Sequence, residues 1–423
     1  MNADYTACRP KRLLLELIYR LSALAFRWLG RRHIDRIVGL EHVPPRGPFV
    51  IVANHLSYMD DFLLAYVVRR YCGEKLYIPT NKKAFKGVLR SWLHLAGGAV
   101  EIDPDDREQS YSVLRRLIDD GRIVLMFPEG TRSDGARLLP FRFGAFNLAR
   151  DANVPIVPVA LVDTHRVLPK HALWPMAGAR ASAVFQPPIA PEALAAVGAA
   201  HARNRCAALL ASALHNRGAW SGAEAAASTA AHLAARAEGL LEALIERGPE
   251  TIRSHDLRPV WAWAELVRHS APGAYAMQVQ CFRAFGFRLL AASRPLALLM
   301  IRRFHRLGAQ ALQRDPRQPF VHYVRGQFHL RAPRIAGASR RAALLALHRA
   351  YHEAGRHGLD GARFAVSYAQ ALAATGLAAQ ARRLIDRHFD HPPAATDRLR
   401  RRAARAADLR AGLPGPSRRS PTP

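Results

Sequence analysis

The chain has 423 residues, 50% of them hydrophobic, and carries a formal net charge of +29 from 62 Lys and Arg against 33 Asp and Glu. That length exceeds what a single core usually serves, so two domains are expected. Such a charge suits an anionic phospholipid surface, an acidic carrier protein or nucleic acid. No zinc-finger spacing or RNA-binding signature is evident, so nucleic acid is not an expected partner. Cys8, Cys72, Cys206 and Cys281 are scattered without metal-ligand spacing. They read as free thiols in a reducing compartment, and no metal is expected.

Residues 13–29 are apolar in outline but contain Glu16, Arg20 and Arg27, with Arg9, Lys11 and Arg12 before them and Arg31 and Arg32 after. A spanning helix needs about 20 apolar residues with few charges, and this segment falls short. An uninterrupted apolar stretch and a small-residue cleavage site, the marks of a signal peptide, are not clear either. Leu14, Leu17, Ile18, Leu21 and Trp28 recur at helical spacing. Residues 1–34 are therefore expected to form an amphipathic helix on an anionic membrane surface. Packing of that helix on the next domain is equally compatible with its period. The expected location is the cytoplasmic face of a membrane, peripheral or monotopic.

Pro44, Pro45, Gly47 and Pro48 precede Phe49-Val50-Ile51-Val52-Ala53, a continuous apolar run that predicts a buried strand. After Asp61, Phe62 to Val68 reads as the body of a helix. His55 thus falls where a strand hands over to a helix, a usual place for a site in an α/β sheet. Residues five apart do not share a helix face. His55 is placed in the turn, with Asp60 in the first helical turn reaching back to it. An imidazole so held can take a proton while the carboxylate sets its tautomer. Ser57 or Asn54 would cap the helix. Alone, this pair is an ordinary loop histidine beside a first-turn acid.

A second strand is predicted over Gly121 to Phe127, and it ends in Pro128-Glu129-Gly130-Thr131-Arg132-Ser133-Asp134-Gly135. Gly130 and Gly135 permit backbone conformations closed to other residues. Arg132 offers a planar fork of donors suited to phosphate. Glu129 is expected to orient that guanidinium or to contact an acceptor. Two polar turns that each follow a buried strand can converge on one pocket.

The run from Asn54-His55 to Asp60 resembles the H-x4-D motif of the glycerolipid acyltransferase family, which includes 1-acylglycerol-3-phosphate acyltransferases. Phe127 to Ser133 is similar to that family's F-P-E-G-T-R-S block, Phe141 to Ala149 to the block after it, and Val154 to Val159 to its V-P-I-V-P-V strand. The resemblance covers residues 35–215. It implies direct transfer from an acyl-CoA or acyl-carrier-protein thioester, no cofactor, His55 and Asp60 as catalytic pair, and Glu129, Gly130, Thr131 and Arg132 around the acceptor. One block departs. Where the family usually has an arginine that helps hold the acceptor phosphate, this chain has Pro104 after Asp103, and proline has no side-chain donor. Arg107 and Lys82 (or Lys83) are the candidates to compensate.

Ala183 to Phe185 predicts a further strand, followed by a helix to about Asn216. An α/β acyltransferase domain is therefore assigned to 35–217, and Ala/Ser-rich 218–230 reads as a linker or weak helix start. Beyond it helices are predicted over 231–247, 257–269, 275–291, 295–314, 319–331, 338–354, 361–375 and 377–389. This all-α domain, 231–395, has a helical-hairpin or repeat-like character. Tyr368, Ala369, Ala373, Gly376 and Ala381 fall much as in a tetratricopeptide unit, and Tyr323, Gly326 and Ala346 do so more weakly. Trp261 and Trp263 are expected in packing. The basic tail, 396–423, is predicted to be disordered.

The leading expectation is a membrane-surface acyltransferase that acylates the hydroxyl of a lysophospholipid such as 1-acylglycerol-3-phosphate, with His55 as general base. A second keeps the fold but takes a non-phosphoglyceride acceptor, an amino-acid lyso-lipid or specialised metabolite. A third makes the helical half an adaptor for a protein partner.

Overall fold

The computed structural model describes residues 27–82, 98–103, 105–133, 138–170, 172, 174–217, 220, 222–247, 251–271, 273–292, 294–333, 336–389, 406–409 and 411–413. Most of the expected amino-terminal helix, together with Lys83, Pro104 and Gly135, lies outside them. The chain divides into two compact units, Met1–Leu233 with Glu265–Ala274, and Ala234–Ala264 with Tyr275–Pro423.

The first unit is built on a seven-stranded sheet of β1 (Ile34–Val38), β2 (Phe49–Ala53), β3 (Leu76–Asn81), β4 (Ala99–Ile102), β5 (Ile123–Met126), β6 (Ile156–Val162) and β7 (Ala181–Phe185), in the order β1-β7-β6-β2-β5-β3-β4. All neighbours run parallel except β6 and β7, which are antiparallel. β2, β6 and β7 are buried at every position. Strands covered on both faces need no polar alternation, which is why these segments read as unbroken apolar runs. The covering helices are α1 (Met59–Tyr71), α2 (Arg107–Asp119), α3 (Gly144–Asp151), the short α4 (Thr164–Val167) and α5 (Pro191–His215). The decisive feature is register. Val52 of β2 lies beside Met126 of β5, so the polar turns that follow both strands leave the sheet side by side.

The expected linker is not a free one. Helix α6 (Ala223–Arg247) begins inside it. Thr229, fully buried, accepts from the Gly39 amide at 3.0 Å and donates to Glu41 at 3.1 Å. Small residues let the helix approach closely enough for its hydroxyls to serve as bonding groups. Nor does the first unit end at a single cut. It takes back the carboxy-terminal part of α7 (Arg258–Ser270). There Glu265, 5% exposed, gathers Arg27, Arg31 and Arg70 at 2.9, 3.0 and 3.3 Å.

The second unit is helical throughout its described residues, with the rest of α6 and α7, then α8 (Tyr275–Leu290), α9 (Arg294–Arg314), α10 (Pro319–Arg331), α11 (Arg340–Ala354), α12 (Ala362–Ala374) and α13 (Ala378–Phe389). These match the predicted helices to within a few residues, because Gly, Pro and polar stops punctuate each one. Trp263 is buried, as expected, with the Arg236 guanidinium 4.7 Å from its ring. Among the described residues no helix is long and apolar enough to cross a membrane. The tail departs from expectation: residues 406–409 are helical. Ala406 and Leu413 are buried with Leu384 and Ile385 of α13, and Arg382 donates to the Leu413 carbonyl at 2.6 Å. Apolar residues spaced among the arginines have a core to join there.

The largest fully buried side chain is Arg283. It ion-pairs with Glu242, donates to Gln280 at 2.9 Å and lies 3.9 Å over the Phe320 ring. Arg363 reaches Glu242 and Glu238, each at 3.1 Å. Burial pushes the Arg283 guanidinium below its usual range, and Glu242 opposes that fall. Removing the carboxylate leaves a buried cation unpaired. Glu242→Ala is expected to destabilise by about 3–5 kcal/mol, read as a lowered denaturant midpoint in chemical unfolding.

Candidate active site

His55 is held from four sides. Its backbone N–H donates to Glu129 Oε1 at 2.9 Å, and its carbonyl accepts from the Ser133 amide at 2.8 Å. Its ring Nδ1 lies 2.9 Å from Asp60 Oδ2, and its ring stacks on Phe127 with centroids 3.9 Å apart and planes 14° from parallel. Two of these contacts come from the turn after β5 and one from the strand end itself. The sequence-distant motifs therefore assemble on each other rather than merely lying near.

Asp60 sits in the first turn of α1 and is fully buried. Its Oδ2 also accepts from the Leu56 and Ser57 amides at 2.7 and 2.9 Å. Those two amides fix the carboxylate in place. The carboxylate in turn makes Nδ1 the protonated nitrogen, leaving the Nε2 lone pair directed outward. No described residue hydrogen-bonds to Nε2. Ser57 does the capping, accepting from the Met59 amide at 3.0 Å and donating to the Leu168 carbonyl at 2.6 Å. Asn54 does not cap. Its amide pairs with both backbone groups of Leu161 in β6, at 3.0 and 2.7 Å.

Glu129 stands in a different relation from the one expected. It is 4% exposed, and its second oxygen accepts from the Leu139 amide at 2.9 Å. Both oxygens are thus engaged by backbone N–H groups. Burial raises its carboxyl above the ordinary range, and the two amides pull it back. Arg132 rests instead on Tyr58, 4.0 Å from the ring, with a shielded Nη1 that has no partner among the described residues. Gly130 has φ +71°, and a Cβ there would lie 2.9 Å from the Arg142 guanidinium carbon. Arg142 therefore occupies the space a side chain would need, and the motif's glycine makes room for a second cation. Thr131 is exposed beside it.

Lys82 and Arg107 are not gathered with these residues. Lys82 follows β3 and ion-pairs with Asp103, which follows β4. β3 and β4 are two and three places from β2, roughly 10 and 15 Å at the usual strand spacing. The partner raises the Lys82 ammonium above its ordinary range. Arg107 opens α2 as an exposed residue.

Residues 36–162 match the family described as Acyltransferase. The chain is 34% identical over 152 residues to a 1-acyl-sn-glycerol-3-phosphate acyltransferase alpha of Ovis aries, covering 34% of this chain and 50% of that protein. It is 32% identical over 147 residues to the 1-acyl-sn-glycerol-3-phosphate acyltransferase of Saccharomyces cerevisiae, covering 33% and 46%. The crystal structure of a 1-acyl-sn-glycerophosphate acyltransferase from Thermotoga maritima aligns with a TM-score of 0.40 at 22% identity, over 51% of this chain and 85% of that one. The chain spans about half the length of the curated relatives it matches.

Three residues of the first unit were not singled out by the sequence. Tyr58 and Arg142 lie inside the matched blocks, and their role emerges only from contact with Arg132 and Gly130. The third is Asp61, adjacent to Asp60, whose Oδ1 is shielded and without a partner among the described residues. Burial is the main cause that lifts its carboxyl from the ordinary 3.8 to about 7; Asp60 adds to the rise, while His55 and Arg132 oppose it. Between those two values the unfolded chain has lost a proton that the folded chain keeps. Stability conferred by the neutral acid is full below the lower value and declines as pH rises towards the upper one, by on the order of 1 kcal/mol per pH unit. Asp61→Asn should flatten this slope between pH 4 and 7 in urea unfolding measured across that range.

Proposed function

We propose that this protein is an O-acyltransferase that moves a fatty acyl group from a thioester to the hydroxyl of a lysophospholipid of the 1-acylglycerol-3-phosphate class. The observation that carries this reading is the four-sided restraint of His55 with Nε2 left open. A base held this way loses little freedom when the acceptor arrives.

In the proposed reaction Nε2 takes the proton of the acceptor hydroxyl as its oxygen attacks the thioester carbonyl. The π electrons move onto the carbonyl oxygen. They return as the C–S bond breaks, and the departing sulfur takes the proton from the imidazolium. Asp60 stabilises that imidazolium throughout. The guanidinium groups of Arg132 and Arg142 supply donors for an acceptor phosphate. Glu129 acts as a positioning residue, tying the His55 turn to the loop at Leu139. The relatives named above, 1-acyl-sn-glycerol-3-phosphate acyltransferases by title, support this acceptor class. The +29 charge and Trp28, 59% exposed beside Arg32, support work at an anionic membrane surface. The donor is acyl-CoA or acyl-carrier protein on this reading.

A second reading takes a non-phosphoglyceride acceptor. It is favoured by Pro104 in place of an arginine and by the commitment of Lys82 to Asp103. Both readings share the chemistry and differ in the acceptor.

Purified His55→Ala is expected to lose roughly a hundredfold to ten-thousandfold in kcat for acyl transfer to a panel of lyso-lipids, with Asp60→Asn in the same range. Normal turnover in His55→Ala would refute the mechanism. Arg132→Gln should raise KM for phosphate-bearing acceptors about tenfold or more, the loss expected when one charge-assisted bond of about 1.5–3 kcal/mol is removed. An unchanged KM for such acceptors, alongside good turnover of an uncharged lyso-lipid, would favour the second reading.

A further inference from the structure

Within the second unit, α10 and α11 enclose a cavity of about 200 Å³. The helices approach closely because Gly326 has no side chain: a Cβ there would lie 2.5 Å from Leu347 Cγ. His322, Arg325 and His329 line the cavity from α10, at spacings of three and four residues, and Leu345, Ala346 and Arg349 line it from α11. The small Ala346 leaves the space open, and Leu345, 57% exposed, forms an apolar rim.

The charges in this cavity are unbalanced, unlike those at the ion-paired arginines. Arg283, Arg363, Arg31 and Arg70 each have a carboxylate partner. Arg325 is partly buried, and neither it nor Arg349 forms an ion pair among the described residues. Burial, then the charge of Arg349, draws the Arg325 guanidinium below its ordinary range. Burial, His305 and Arg325 similarly depress His329, whose Nδ1 is shielded and without a partner. His322 points Nε2 at the Pro316 carbonyl, 2.8 Å away. The acid that acts on His322 is Glu353, and Glu353 is engaged by Arg356 at 3.2 Å. Two guanidinium groups that line one open-sided space without a counter-charge, Arg325 partly buried and Arg349 exposed, repel each other, and an entering anion removes that repulsion.

We propose that this cavity is a binding site for a phosphate group, distinct from the candidate active site. Two arginine forks offer the planar, multidentate donors that phosphate oxygens accept. The volume is several times the roughly 30 Å³ share of one water molecule, enough for an anion and the first atoms of its ester. The phosphate has two sources, a soluble phosphomonoester or a lipid head group whose apolar part lies along Leu345.

The test uses the full-length protein and inorganic phosphate, followed by calorimetric titration. Arg325→Gln/Arg349→Gln should bind phosphate at least tenfold more weakly than the parent. Arg302→Gln/Arg306→Gln, which removes the same charge from α9, should leave the affinity unchanged. Ala346→Phe keeps both arginines and fills the space, so it should also lose binding, and it decides the matter if the double variant fails to fold by circular dichroism. Flotation with phosphatidylcholine vesicles, with and without phosphatidate, separates the sources. A fall in phosphatidate-dependent recruitment of the variants assigns a lipid head group, and unchanged recruitment with lost phosphate binding assigns a soluble ester. No phosphate binding by the parent, equal affinity in the parent and in the folded variants, or equal weakening in the α9 control overturns the proposal.

Discussion

One buried carboxylate organises the candidate active site. Glu129 accepts the backbone N–H of His55 with one oxygen and that of Leu139 with the other. A carboxylate at 4% exposure is costly to bury unless its lone pairs are met, and these amides meet them. The consequence is mechanical. The turn after β2 and the loop after β5 share one anchor, so the imidazole cannot move without breaking a charge-assisted bond. Ser133 closes the arrangement from the other side by donating to the His55 carbonyl.

This depends on the register beneath it. Because Val52 pairs with Met126, the turns that follow at Asn54 and Phe127 begin within one residue of each other on adjacent strands. Asn54 then grips the opposite neighbour, β6, through Leu161. The histidine thus stands at the carboxyl edge of three adjacent strands, each fixed to it through a different polar group. A parallel sheet delivers such edges routinely. What is particular here is that each fixing group is a side chain within, or next to, a motif.

The same scarcity of acids shapes the rest of the chain. With 33 acidic residues against 62 basic ones, an enclosed carboxylate collects several cations. Glu265 holds three arginines, and Glu242 holds Arg283 and Arg363. Where no acid is within reach, as at Arg325 and Arg349, the positive charge of the proposed phosphate site is left for an outside anion.

Much of this was legible in the sequence. Apolar runs marked β2, β5, β6 and β7, and Gly and Pro stops marked the helices after residue 230, since strand burial and helix termination are local properties. The pairing of His55 with Asp60 was legible too, because a turn that leads straight into a helix brings the residue before it close to the first helical turn. The partners of Glu129, Lys82 and Arg132 were not. Each is a long side chain whose contact lies across the sheet, and spacing along the chain does not say which strands are neighbours. The packing of Ala406 and Leu413 and the bonding of Thr229 were likewise hidden, since an Ala-rich or Arg-rich segment carries no mark of the core that will receive it. Local sequence therefore determined the elements and the pairing of His55 with Asp60. Strand order and register alone decided that Glu129 holds the histidine, that Arg132 rests on Tyr58, and that Lys82 is taken by Asp103, because those contacts exist only once distant segments share an edge.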